Sequence, residues 1–130
     1  MVQGIDIVHD MKNIDLKKLN NEIEKLVSER DWDQFHSVKN LSMALSVESA
    51  ELLEIFQWMT EAQSNDVKND PKVMAKIEDE VADIFVYMMR ILSKTEIDLE
   101  KAVLSKLQKN AEKYPVEKSK GNSKKYNDLG

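Results

Sequence analysis

Two pairs of carboxylates stand where apolar side chains belong. In SVESAELLEIFQW, Glu48 and Glu51 interrupt the apolar face of a helix-like segment, and in KIEDEVADIFVYMMRIL the pair Glu80 and Asp83 repeats the pattern. At 3.6 residues per turn, Leu41, Ala44, Leu52, Ile55 and Met59 fall within about 40° of Glu48, and Glu51 lies about 60° to one side. Val73, Ile77, Ile84, Tyr87 and Ile91 cluster in the same way around Glu80, with Asp83 about 60° away. An ionised carboxylate on a buried face needs a partner, because desolvating it alone is too costly. Antiparallel packing of the two segments would gather all four. Lys76, one turn from Glu80, is the only nearby cation, and one lysine does not balance four carboxylates. A hard divalent cation does. Mg²⁺ takes oxygen ligands, keeps several waters and commonly binds phosphates, and Mn²⁺ is its natural substitute. The chain has no cysteine, so no thiolate site, and no Glu-x-x-His pair of the di-iron type. The competing interpretation is a solvated acidic surface. Glu54 lies about 120° from Glu48 and is expected to face solvent or to support the ligands from behind, and Glu78 and Asp79 are expected to point away.

A metal held by carboxylates suggests phosphate chemistry. No Walker A loop or dinucleotide-binding glycine pattern is present, so side chains and metal must hold the phosphates. Lys106, Asn110 and Lys113 follow i, i+4, i+7 spacing and continue the line of Leu99 and Val103. A solvated lysine face is the plainer explanation of that stripe taken alone. Trp32, Phe35, His36, Trp58 and Tyr87 are candidates for stacking on a base, with ordinary packing as the alternative for each. His36 by itself reads as a structural hydrogen-bonding group rather than a metal ligand.

Four helical segments must position these groups. They are expected from about Asp15 to Arg30, Asn40 to Gln63, Pro71 to Lys94 and Asp98 to Tyr114, with SNDVKND as a loop and Pro115 as a stop. VADIFVYMMRIL is apolar around most of its circumference, which places it centrally or at an interface between copies. Strand patterning is absent, so the expected fold is an all-α four-helix bundle in a single domain spanning 1–130, with its core at about 15–115 and a mobile polar tail at about 116–130. The 130 residues carry a net charge of −5. That balance argues against a nucleic-acid polymer as partner. MVQGIDIVHDMKN has no apolar h-region, and no run approaches the length of a membrane span, so a cytoplasmic location without membrane contact is expected.

The segments DWDQFHSVKNLSMALSVESAELLEIFQW, KIEDEVADIFVYMMRIL and IDLEKAVLSKLQKNAEKYP together resemble the MazG-like, all-α nucleoside triphosphate pyrophosphohydrolases, closest to the small dCTP-pyrophosphatase-like and integron-associated members. The tail SKKYNDL also looks like that family's ending. The resemblance implies Mg²⁺-dependent cleavage of a (deoxy)nucleoside triphosphate between its α and β phosphates, as clean-up of the nucleotide pool. It implies Glu48, Glu51, Glu80 and Asp83 as metal ligands, with Glu48 chosen as the base. It implies nucleoside contacts at Trp32, His36, Trp58, Tyr87 and Asn110, and a further set, Asn40, Lys106, Lys113 and Tyr114, lining the site or reaching phosphates. It also implies a homo-oligomer, either a dimer or a dimer of dimers. An all-α dUTPase, a phosphoribosyl-ATP pyrophosphohydrolase and a non-catalytic metal-binding helical interaction module remain as alternatives.

Overall fold

The computed structural model describes residues 14–129. Among them every regular element is helical, in agreement with the all-α expectation. Helix α1 spans Leu16–Glu29, α2 Val38–Phe56, α3 Glu61–Asn65, α4 Pro71–Thr95, α5 Leu99–Lys113 and α6 Val116–Ser119. Single 3₁₀ turns lie at Asp33–Phe35, Val67–Asn69 and Tyr126–Asp128. No helix among the described residues is long and apolar enough to cross a membrane.

Each long helix starts where its sequence supplies an acceptor for the free N–H groups of the first turn. Asp15 Oδ1 accepts from Lys18 N at 2.9 Å and Asp98 Oδ1 from Lys101 N at 3.0 Å. Ser37 Oγ accepts from Asn40 N at 3.1 Å, which starts α2 two residues before the expected Asn40. Asp70 Oδ1 accepts from Lys72 N and Val73 N ahead of Pro71, at 3.1 and 3.2 Å.

The second expected helix is two helices. α2 ends at Phe56, Gln57 to Thr60 form a turn, and α3 begins at Glu61. The cause is a capping box at Thr60: its Oγ1 accepts from Gln63 N at 3.1 Å, and Gln63 Oε1 accepts from Thr60 N at 2.9 Å. That reciprocal pair favours a new start over continuation. It also removes Trp58 and Met59 from the helical wheel on which they were placed.

The chain divides into two compact units between Ile91 and Leu92. In the first unit, Val27, Leu41 and Met89 are buried, and so is Arg90. Large apolar side chains remain in solvent there, including Leu53 at 64% exposure and Trp58 at 89%. In the second unit, Leu104, Leu107 and Val116 are exposed. The polar tail carries α6 and the turn Tyr126–Asp128. Its anchor is aromatic: the Tyr126 ring meets Tyr114 edge-on at 6.4 Å, and Lys113 Nζ lies 4.9 Å from the centre of the Tyr126 ring.

Candidate functional site

The acidic pairs meet in the first unit. One carboxylate oxygen from each of Glu48, Glu80 and Asp83 lies within 4.8 Å of the others. Glu48 and Glu80 are half-buried and Asp83 is exposed. Glu51, one turn from Glu48 and exposed, joins the group through Glu48, whose carboxyl it helps to raise. Oε2 of Glu48 and Oε2 of Glu80 are buried without a donor. Two carboxylates facing each other are both acceptors, so either a shared proton or a cation must satisfy them.

The protonation of Glu48 reflects this. Its carboxyl is pushed up from 4.5 to about 7, foremost by the hydrogen bond to Glu80, then by burial, then by the hydrogen bond to Glu51 and the charges of Glu51 and Asp83. Tyr87 lies beside the same group: its phenol is raised by burial first, then by the charges of Glu48, Asp83 and Glu51. The donor set is all oxygen, two of the oxygens are buried and unsatisfied, and nothing soft is present. These residues fit a hard divalent cation such as Mg²⁺.

The raised carboxyl has a consequence for stability. Between pH 4.5 and about 7 the folded chain holds a proton at Glu48 that the unfolded chain releases. Stability from this group is therefore complete below 4.5 and is lost as pH rises through about 7. In chelator, the melting temperature is expected to fall across this window, and the fall should be smaller in Glu48→Gln. With Mg²⁺ the slope should flatten, because the metal takes the deprotonated carboxyls. A metal-free slope that is the same in wild type and Glu48→Gln would contradict the assignment.

Beside the cluster a cleft of about 550 Å³ is lined by Glu51, Glu54, Ile55, Lys76, Asp79 and Glu80, among others. Glu54 and Asp79 are exposed and lie along the open sides of this cleft.

Four of the expected substrate-binding residues belong to the segment around α2. Trp32 is 43% exposed, with the Arg30 guanidinium 5.7 Å from its ring centre. His36 Nδ1 accepts from Arg90 Nε at 3.3 Å. Asn40 Nδ2 donates to the Phe35 carbonyl at 3.0 Å, a local clasp on the turn preceding α2. Trp58 stands in the turn after α2, almost fully in solvent. Local chemistry sets this segment. α1 ends in a Schellman turn, with Asp31 at φ 52°, Asp31 N bonded to Ser28 O at 3.1 Å and Trp32 N to Val27 O at 3.0 Å. The chain is thereby turned into Asp33–Phe35 before Ser37 restarts helix. The remaining expected residues, Lys106, Asn110, Lys113 and Tyr114, lie together at and after α5 in the second unit, where Asn110 and Tyr114 are half-buried.

Arg90 is the residue that sequence patterning missed. It is 4% exposed within the apolar run of α4, and its Nη2 donates to Asp33 Oδ1 at 2.7 Å. A cation inside VYMMRIL was the one available signal.

Comparison with known proteins identifies the family. The MazG-like family pattern matches residues 43–129, which include all four carboxylates. dCTP pyrophosphatase 1 from Rattus norvegicus is 38% identical over 90 residues, covering 69% of this chain and 51% of that protein. The Homo sapiens protein of the same name is 36% identical over the same coverage. The chain thus spans about half the length of the curated relatives it matches. A crystal structure of a pyrophosphatase from Archaeoglobus fulgidus superposes with a TM-score of 0.70 at 35% identity, covering 76% of this chain and 91% of that one. With two-thirds of its length matched and its acidic pairs inside the match, the chain belongs to the MazG-like family.

Proposed function

We propose that this chain hydrolyses a deoxynucleoside triphosphate, with dCTP the first candidate, to the monophosphate and pyrophosphate. The observation that carries the reading is the convergence of Glu48, Glu80 and Asp83 within 4.8 Å, with buried oxygens lacking donors. The names of its relatives supply the substrate class. In this reading Glu48, Glu51, Glu80 and Asp83 hold Mg²⁺, with Mn²⁺ as substitute. When bound, the metal supplies positive charge against the phosphate oxygens. Glu48, half-buried where the carboxylates converge, is the residue we assign to take the proton from the attacking water. Tyr87, beside the cluster, and Trp32, His36 and Trp58 serve the nucleoside. Asn40, Lys106, Asn110, Lys113 and Tyr114 serve the nucleoside or the triphosphate, with the family resemblance as their support.

The family match crosses the boundary between the two units, which supports a single working domain. Exposed Leu53, Leu104, Leu107 and Val116 support a homo-oligomer, a dimer or a dimer of dimers, that covers them. Light scattering that finds only monomer would remove that part. Nucleotide-pool clean-up in the cytoplasm is the role that suits the reaction.

The test is pyrophosphate release from a panel of canonical and modified nucleoside triphosphates, with Mg²⁺ and with chelator. Metal-dependent release, strongest with dCTP, is expected. Strongest release from dUTP would point to the dUTPase relative instead. No release from any triphosphate would shift the reading to phosphoribosyl nucleotides or to a non-catalytic module.

A further inference from the structure

The cleft of about 550 Å³ has the size of a small-molecule site, and two of the residues lining it, Glu51 and Glu80, belong to the acidic group. Lys76 is the one cation among the described residues that line it. A lysine three residues before Asp79 and four before Glu80 is placed to pair with either on the helix surface. It forms an ion pair with neither. Lys76 is also exposed, so its ammonium is free to meet a ligand in the cleft.

The order of groups along α4 says what that ligand is. Lys76, Glu80, Asp83 and Tyr87 follow i, i+4, i+7, i+11 spacing, on one face over about 16 Å of helix. The carboxylates stand in the middle, with the ammonium toward the start of the helix and the aromatic ring toward its end. Tyr87 is close enough to the group to feel the charges of Glu48, Asp83 and Glu51. The cleft lies on the other side, where Val73 and Lys76 line it. A nucleoside triphosphate has the same polarity: an aromatic base at one end, phosphates at the other, and the bond to be split between them. With that bond at the carboxylates, the β and γ phosphates extend into the cleft toward Lys76. The cleft wall also carries four carboxylates, Glu51, Glu54, Asp79 and Glu80. A bare anion is repelled there, so the phosphates enter as a magnesium complex, and Lys76 is the side chain of that wall that attracts them directly.

We propose that Lys76 binds the two terminal phosphates of the triphosphate, holding the pyrophosphate end in this cleft while the bond to the α phosphate breaks. In that hydrolysis the oxygen of water joins the monophosphate, one proton of the water passes to Glu48, and the electron pair of the broken P–O bond leaves on pyrophosphate. Lys76 keeps its proton throughout and offsets the charge of the leaving group as a point charge. The role in turnover rests on the nucleotide-hydrolysis reading above. The binding of magnesium pyrophosphate in the cleft does not.

Calorimetry on the full chain tests this, with pyrophosphate and with dCMP as probes, both in Mg²⁺. Lys76→Met is expected to melt as wild type does and to bind pyrophosphate about tenfold more weakly. Its affinity for dCMP should not change, because dCMP has no β or γ phosphate. Removing a cation beside the acidic group should leave Mg²⁺ affinity equal or higher, so the lost pyrophosphate affinity would not be a lost metal. The KM for dCTP should rise by a similar factor, and the advantage of dCTP over dCDP should shrink. Lys76→Arg should restore most of both. Should Lys76→Met misfold, Lys76→Gln is read by the same measurements. No pyrophosphate binding by wild type, or equal affinity in wild type and variant, overturns the proposal. So does an equal loss for dCMP, or a Mg²⁺ affinity that falls in step. A wild type that splits no triphosphate yet binds pyrophosphate through Lys76 would end the hydrolysis reading and leave this inference standing. Intact hydrolysis with pyrophosphate affinity and KM unchanged in the variant would do the reverse.

Discussion

Glu80→Gln should lower pyrophosphate release by about 10²–10³-fold or more while leaving the helical fold in place. Glu80 faces Glu48 across the two helices, and its Oε2 is one of the cluster's two buried oxygens without a donor. The amide keeps the shape and removes the charge that would hold a cation. The same change removes repulsion from the metal-free cluster, so without Mg²⁺ the variant should melt no lower than wild type. Those two results together separate a ligand from a structural residue. A glutamate needed for packing would lower stability and activity together. Glu51→Gln tests the more exposed member and should also remove turnover. Full turnover in either variant would sink the ligand assignment.

Mg²⁺ in the millimolar range should raise the melting temperature of the wild type by several degrees. A ligand present at ten times its Kd stabilises the native state by about 1.4 kcal/mol, which in a domain of this size is roughly 4–6 °C. The effect should be largest near and above pH 7, where Glu48 gives up its proton most easily, and it should be largely absent in Glu80→Gln. NaCl at equal ionic strength controls for screening, because general screening would act on wild type and variant alike. A melting temperature indifferent to chelator and Mg²⁺ would count heavily against a clustered metal site.

Both predictions could be framed from the residues alone, and the reason is periodicity. Helical spacing is a local property, so a carboxylate pair recurring on two consecutive apolar stripes is visible before any fold is known. Capping residues are equally local: Asp15, Asp70 and Asp98 start helices where the sequence says they should. The break after Phe56 was local too, but the T-x-x-Q box at Thr60 lay within an apolar run whose helical rhythm masked it. As a result Met59 was assigned a direction on a helix that had already ended.

The sequence by itself determined the all-α class, the acidic stripes of α2 and α4, and the hard, oxygen-only character of the site they make. Each follows from residue type and from spacing within a turn or two. Only the tertiary structure decided which groups meet. It brought Glu48, Glu80 and Asp83 within 4.8 Å and linked Glu51 through Glu48. It set Glu54 and Asp79 along a cleft that a single helical wheel does not contain. It also carried Arg90 across 54 residues to His36 and 57 residues to Asp33. Contacts at that separation depend on how whole helices pack, and packing is set by the summed burial of many side chains rather than by the pattern around any one of them.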